Sequence, residues 1–320
     1  MRRLDFVVTS EYDNASVMAV LKQRAGLSSK LIRTLKHYDD GILLNGVHIR
    51  TVDPVHEGDT LTVNIPSDEP TVDSAGFDPD ALDILYEDDD LVVVNKPADL
   101  AVHPSHNHQG DTLANLLAAH LEKEGKPATF RAVGRLDKGT SGSMVCATNQ
   151  FAASKLQAQI HKTYFAIPSG YYEGSGTIDA PIYRPDPILT VRVVDERGDR
   201  AITHWTALAT GAVPLNLGEK NPEHTLYNEP PATDDNGRIP ATLVKVNLET
   251  GRTHQIRVHF ASRGTPLLGD TMYGYPRTDI ARQALHCGHA EFTHPYTGEP
   301  LVIDAPLPKD MSDLVAYLKK

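Results

Sequence analysis

The stretch that most constrains the fold covers residues 133–147, with the sequence VGRLDKGTSGSMVCA. A turn rich in glycine and serine separates the triplet Arg135-Leu136-Asp137 from the apolar run that follows. This pattern predicts a sharp turn held between packed elements, because glycine and serine favour turns and the apolar run has to be buried. Asp137 would stand at this turn, where a substrate can reach it, and is the first candidate for a functional carboxylate.

The composition bounds the class of protein. The chain has 320 residues, 40% hydrophobic and 23% charged, which indicates a soluble globular protein with a large core. Cys146 and Cys287 stand in apolar surroundings, which favours a reducing compartment over a disulfide framework or a zinc site. No apolar stretch approaches the ~20 residues of a membrane span, so we expect a cytoplasmic protein without membrane association. The net charge of −11 argues only weakly against nucleic acid, because local basic patches decide phosphate binding.

Residues 1–66 have the pattern of a small α/β module. Serines precede two short amphipathic stretches and predict N-caps, and an Asn-Gly pair at residues 45–46 predicts a hairpin. The second predicted helix carries Lys30, Arg33 and Lys36 on its polar face. Two helices, a hairpin and a Gly-Asp turn resemble the S-four-type RNA-binding module, named after a small-subunit ribosomal protein. The alternative is an unrelated α/β domain with a solvated basic helix.

The remainder of the chain is predicted to form one larger domain. Residues 67–80 are polar with proline and glycine and predict a linker, and residues 81–320 alternate short apolar strands with helices. Residues 211–240 contain five prolines and little apolar periodicity, so we expect a long insertion or mobile loop there.

Several blocks, taken together and in order, resemble the RluA/RluD family of pseudouridine synthases. They lie at residues 85–104, 134–142, 162–166, 250–274, 282–286 and 294–299. The resemblance implies an α+β fold with a mixed, mainly antiparallel central sheet flanked by helices. It also implies a monomeric isomerase that converts specific uridines of structured RNA to pseudouridine by base flipping, without a cofactor or a metal. Ribosomal RNA of the large subunit is the expected substrate by analogy, and tRNA is the alternative. One departure is Gly134, where the family often has histidine.

The resemblance assigns a catalytic role to three residues. Asp137 is expected to act on the ribose, either by attack at C1′ or by removal of the C2′ proton, and the sequence does not decide between them. Arg257 is expected beside it, to offset the cost of a desolvated carboxylate. Tyr164 offers a ring for the uracil and a hydroxyl near C5. The alternatives are a turn aspartate, a surface cation and a core aromatic.

Further residues are expected to bind the substrate or the RNA around it. Arg135 is two residues before Asp137 and can stack on bases or bind phosphate, and the alternative is a structural ion pair. Base flipping needs such a group, because extrusion of a nucleotide costs a few kcal/mol. The resemblance adds Arg252, His254, Gln255 and His103 as substrate-binding residues.

Two other functions compete with the enzyme. A non-catalytic RNA-binding or ribosome-assembly factor could use the same fold, but it would be free to lose Asp137. A metal-dependent hydrolase could use His103, His106 and His108, but no carboxylate or cysteine ligand accompanies these histidines. We therefore expect no metal site.

Overall fold

The computed structural model describes residues 2–66, 72–104, 110–127, 129–157, 159–219 and 231–318. The N-terminal module contains β1 (Arg2–Val7), α1 (Val17–Gln23), α2 (Ser29–Leu35), β2 (Ile42–Leu44), β3 (Val47–His48) and β4 (Thr60–Ile65). Its four strands form one sheet in the order β1-β4-β2-β3. The described part of 67–80, residues 72–80, contains no helix or strand.

Local signals in the sequence explain this module. Ser16 and Ser28 cap α1 and α2, since their side chains accept hydrogen bonds from Ala19 N and Leu31 N at 3.3 and 3.2 Å. Asn45 and its neighbouring glycine both have positive φ, 54° and 83°, as the predicted two-residue hairpin between β2 and β3 requires. Both expectations from the sequence are confirmed.

The second domain is built on a large sheet. Its elements are β5 (Ile84–Glu87), β6 (Leu91–Lys96), α3 (Leu113–Lys123), β7 (Arg131–Val133), β8 (Ser141–Ala147), α4 (Gln150–Gln157), β9 (His161–Ala166), β10 (Ser175–Asp179), β11 (Ile182–Tyr183), β12 (Val193–Val194), β13 (Ile202–Val213), β14 (Ile239–Leu248), α5 (Gln255–Ser262), β15 (Leu285–Thr293), β16 (Pro300–Asp304) and α6 (Lys309–Leu318). The sheet runs β10-β13-β14-β9-β15-β8-β6-β5, with β16 beside β15 and β7 beside β8. The β8–β15 pair is parallel and the other pairs described for this sheet are antiparallel. The predicted mixed, mainly antiparallel sheet with flanking helices is confirmed.

The predicted insertion at 211–240 is shorter than expected. Strand β13 continues to Val213 and β14 begins at Ile239, and these two residues pair at the end of the longest ladder of the sheet. The connection between them therefore spans residues 214–238, of which 220–230 lie outside the described residues. The proline at position 240 misled the prediction, because it lies opposite Ala212 within the ladder. A proline is tolerated in a strand where no donor is needed from it.

The two domains touch through aromatic and charged side chains. Phe151 of α4 packs into the apolar cluster of the N-terminal module. Arg2 of β1 donates to the buried carboxylate of Asp90 at 2.7 Å, and its guanidinium lies 4.7 Å from the ring centre of Tyr296. These contacts fix the N-terminal module on the larger domain. Among the described helices, none combines the length and apolar character that crossing a membrane would require.

Candidate active site

The loop that carries Asp137 joins β7 to β8 and is clamped at both ends. Lys162 of β9 donates to the carbonyl of Gly134 at 2.6 Å. Lys96 of β6 is fully buried and donates to the carbonyls of Pro97, Leu100 and Lys138 at 2.8, 3.0 and 3.0 Å. Burial lowers the pKa of Lys96 to about 7. Burying an ammonium is costly unless its donors are satisfied, and Lys96 has three acceptors for its three hydrogens.

Glycine suits the start of this loop. Gly134 has φ +63°, a left-handed conformation that side chains other than glycine adopt at a cost. A Cβ there would also lie 3.2 Å from the Lys162 ammonium nitrogen. Glycine in place of the family's frequent histidine therefore suits both the left-handed backbone at position 134 and the close approach of Lys162, which donates to the Gly134 carbonyl.

Asp137 faces a buried ion pair. The Arg257 guanidinium on α5 donates to Asp270 through Nε and Nη2, at 2.7 and 2.9 Å, and its Nη1 lies 3.4 Å from Asp137 Oδ2. The side chains of Arg257 and Asp270 are 7% and 0% exposed, whereas that of Asp137 is 27% exposed. Burial alone would raise the pKa of Asp270, but Arg257 and two backbone N–H groups lower it. Asp270 is therefore a structural anion, and Asp137 is the accessible carboxylate of the three-charge group.

A histidine also lies near the same oxygen of Asp137. His254 Nε2 lies 4.0 Å from Asp137 Oδ2, and its Nδ1 lies 2.8 Å from the hydroxyl of Tyr273. Burial lowers the pKa of His254 to about 4, so its ring is neutral near pH 7. The ring therefore brings an uncharged polar group, not a second cation, to Asp137.

Tyr164 lies on β9 within the core cluster that also contains Leu136. Burial, followed by the fields of Cys287 and Asp137, raises the pKa of the Tyr164 phenol well above its usual value. Tyr164 is therefore protonated at any physiological pH. It can offer a ring or an O–H group, but not a phenolate base.

Comparison with known proteins identifies the group to which this fold and site belong. A family model described as RNA pseudouridylate synthase matches residues 90–262. The chain belongs to this RNA pseudouridylate synthase family. It is an isomerase that converts uridine to pseudouridine in RNA, and the predicted enzyme class is confirmed. The non-catalytic alternative is therefore set aside.

Individual relatives cover nearly the whole chain. An uncharacterized RNA pseudouridine synthase of Bacillus subtilis, YjbO, is 38% identical over 297 residues, which cover 91% of this chain and 95% of that protein. Ribosomal large subunit pseudouridine synthase D of Neisseria meningitidis is 33% identical over 347 aligned positions, covering 98% and 85% of the two chains. Among solved structures, human RNA Pseudouridylate Synthase Domain Containing 1 aligns with a TM-score of 0.52 over 75% of this chain and 96% of that one. Its 23% identity supports the fold alone.

The other residues predicted for this pseudouridine synthase fall into two groups. His103 and Arg135 are exposed near each other, since partial burial and then the charge of Arg135 lower the pKa of His103. Gln255 is 2% exposed, and its side-chain amide donates to Ile202 O and accepts from Arg252 N, so it braces the turn before α5. Arg252 itself donates to the Arg200 carbonyl at the surface. The structure thus places Gln255 in the buried turn before α5, whereas the family resemblance suggested contact with the substrate.

Arginines gather at the rim of the site. Arg135 lies on the Asp137 loop, and Arg184 and Arg192 bracket the connection between β11 and β12. Burial, and then the charges of Arg184 and Arg135, lower the pKa of Arg192, so both of these guanidinium groups act on that of Arg192. This local positive charge stands out in a chain of net charge −11. On the N-terminal module, Lys30, Arg33 and Lys36 are also exposed.

Among the described residues, the three-histidine metal hypothesis is represented by His103 alone. His106 and His108 lie outside them, and His103 packs edge-on against Phe130 with ring centres 5.0 Å apart. One group with suitable atoms, Asp88, Asp90 and His294, lies elsewhere, at the contact between the domains. Its carboxylates already accept hydrogen bonds from Tyr86, Arg2 and Asn149, as well as from backbone N–H groups. We interpret this group as a structural network in which Arg2 supplies the positive charge.

Proposed function

We propose that this enzyme modifies uridines in large-subunit ribosomal RNA and that Asp137 is its catalytic carboxylate. The observation that carries the proposal is the contrast between two carboxylates on one guanidinium. Asp270 is fully buried and accepts hydrogen bonds from two nitrogens of Arg257 and from two backbone N–H groups. Asp137 is partly exposed and touches Arg257 through Oδ2. Its Oδ1 has no partner among the described side chains and is the oxygen we assign to the ribose.

The proposed chemistry needs no oxidant. The N1–C1′ bond of uridine breaks, the C5–C1′ bond forms, a proton leaves C5, and N1 gains a proton. Asp137 either attacks C1′ or removes the C2′ proton, and both roles require an ionised carboxylate. Arg257 stabilises that charge, and its own charge is shared with Asp270, so Asp137 is not locked into a closed ion pair. Tyr164, a protonated phenol, would contact the detached uracil.

The rim of the site fits the RNA around a flipped nucleotide. Arg135, Arg184 and Arg192 can bind phosphates or stack on bases, and guanidinium groups suit both tasks. Ile188 lies in the chain between Arg184 and Arg192, and its side chain is 85% exposed. An exposed apolar side chain in such a connection can enter a base stack and help to hold the stack open.

The N-terminal module supports a structured substrate. Lys30, Arg33 and Lys36 lie on the exposed face of α2, whose opposite face is buried. Because the module packs on the larger domain through Arg2 and Phe151, its basic helix stands at a fixed position relative to Asp137. We propose that this S-four-like module binds RNA remote from the target uridine. The RNA substrate and the two buried free cysteines fit a cytoplasmic location, and we expect a monomer.

The ribosomal target rests on relatives whose names state that substrate, such as the Neisseria meningitidis enzyme. Pseudouridine mapping of total RNA from cells with and without the gene tests it. We expect at least one pseudouridine of large-subunit ribosomal RNA to disappear on deletion and to return with the wild-type gene. Loss confined to tRNA would overturn the ribosomal target and favour the tRNA-directed alternative.

A further inference from the structure

Two hydrogen bonds and one longer contact lead from the backbone to the carboxylate of Asp137. The backbone N–H of Arg192 donates to the Tyr273 hydroxyl oxygen at 2.8 Å. That oxygen lies 2.8 Å from His254 Nδ1, and His254 Nε2 lies 4.0 Å from Asp137 Oδ2. Tyr273 is 1% exposed, so its hydroxyl hydrogen needs an acceptor within the protein.

This geometry fixes the tautomer of the histidine. Among the described residues, Nδ1 of His254 is the acceptor in hydrogen-bond contact with the Tyr273 hydroxyl. The hydroxyl therefore donates to Nδ1, which must carry no hydrogen. A neutral imidazole then has its single hydrogen on Nε2, the nitrogen that faces Asp137.

The backbone at His254 is strained. His254 has φ +59° and ψ 16°, a left-handed conformation that is unfavourable for a residue other than glycine. The turn is held by Gln255, whose side-chain oxygen accepts from Arg252 N and Thr250 Oγ1 at 3.0 and 2.9 Å. Strain of this kind persists where the surroundings over-determine the conformation, and it is concentrated at functional sites.

The surroundings also keep the ring uncharged. The ionised groups around His254 are Asp137 from the β7–β8 loop, Arg257 from α5, Asp270 from the loop after α5, and Arg192 from the β11–β12 connection. Burial disfavours the imidazolium, and the two anions and the two cations act on it in opposite directions. Arg257 already supplies a positive charge to Asp137 Oδ2, and a neutral N–H adds a directional group there without a second cation.

We infer that His254 is a positioning residue, held by Tyr273 as the Nε2–H tautomer, which orients Oδ2 of Asp137 and leaves Oδ1 for the ribose. The inference rests on the proposed catalytic role of Asp137. It assigns Tyr273 a function through its hydroxyl, in addition to the packing of its ring 5.0 Å from the Arg257 guanidinium. Phenylalanine at position 273 would preserve that packing and remove only the hydroxyl.

The test is the pH profile of the full-length enzyme on an RNA fragment that it modifies. In Tyr273→Phe, the hydrogen of the neutral ring is free to move to Nδ1, which leaves no N–H facing Asp137, so we expect kcat to fall roughly tenfold across the pH profile with KM little changed. His254→Gln supplies a side-chain N–H that cannot become a cation. It should retain more activity than His254→Leu, and adding Tyr273→Phe to His254→Gln should lower kcat little further.

Nitrogen NMR of the wild-type enzyme with labelled histidine adds a readout that does not depend on activity. We expect Nε2 of His254 to be protonated and Nδ1 unprotonated near neutral pH. The opposite tautomer, or a Tyr273→Phe profile that matches the wild type at every pH, would overturn the inference. Failure of the proposed function would look different, because Asp137→Asn would then remain active whatever the state of His254.

Discussion

Replacement of Asp270 by asparagine tests the charge arrangement behind Asp137. The substitution removes one charge of a pair whose side chains are 7% and 0% exposed. Breaking a buried ion pair from one side costs about 3–5 kcal/mol, because the remaining charge stays buried. We expect the lower end, about 3 kcal/mol, since asparagine still accepts from backbone N–H groups and Asp137 lies 3.4 Å from Arg257. Urea unfolding measures this loss, and a change below about 1 kcal/mol would refute the reasoning.

The same variant should lose activity for a separate reason. Without Asp270, Asp137 is the remaining carboxylate partner of Arg257 among the described side chains. The two should then form a direct ion pair, which keeps the Asp137 carboxylate from reaching the ribose. We expect kcat for tritium release from 5-labelled uridine RNA to fall roughly 100-fold, about 2.7 kcal/mol in activation free energy. Undiminished kcat would show that Asp270 does not hold Arg257 away from Asp137.

A double substitution separates stability from activity. Arg257→Met with Asp270→Leu removes both charges and fills the space with apolar groups, which commonly restores much of the stability lost by either single change. We expect a coupling free energy of at least about 2 kcal/mol in unfolding, with no recovery of activity. Single-variant effects that add to within about 0.5 kcal/mol would contradict a buried pair.

Three further predictions address binding, pH and the Asp137 loop. Neutralising Lys30, Arg33 and Lys36 together should weaken RNA binding and flatten its salt dependence by up to about 2 units of slope in a filter-binding titration; unchanged low-salt binding would contradict the assigned RNA face. His254 has its pKa lowered from 6.5 to about 4, so the unfolded chain takes up its proton first as pH falls. Urea unfolding should therefore show the wild type losing about 2 kcal/mol more than His254→Gln between pH 7 and 5, and equal losses would contradict this. Lys96→Met leaves three carbonyls without their donor, so we expect about 2–4 kcal/mol lower stability by urea unfolding and a reduced kcat; an unchanged kcat would show that this clamp does not position Asp137.

Local rules predicted the helix caps and the hairpin within residues 1–66 because these signals lie close together in the chain. The caps at Ser16 and Ser28 and the hairpin at residues 45–46 each depend on a few neighbouring residues. The length of the insertion was overestimated for the same reason. Proline and glycine in 211–240 signalled a loop, but pairing across the sheet carried β13 and β14 into that range.

The site was predicted only in outline. Resemblance placed Arg257 near Asp137, 120 residues away, and the structure has them 3.4 Å apart; their catalytic roles remain proposals. Lys96 and Lys162 were missed because buried lysines that bind carbonyls leave no periodic signal, although both stand in segments that resemble family blocks. Asp270 follows Arg257 by 13 residues, a spacing that matches no helix or strand period. Only the three-dimensional path of the loop after α5 brings it back to the guanidinium.

The most direct test of the central claim is pseudouridine formation by Asp137→Asn. The substitution keeps the shape of the side chain and removes its charge. We predict no tritium release and no pseudouridine in an RNA fragment that the wild type modifies, with RNA binding and the urea unfolding midpoint close to wild type. Pseudouridine formation at a rate near that of the wild type would contradict the assignment of Asp137 as the catalytic carboxylate.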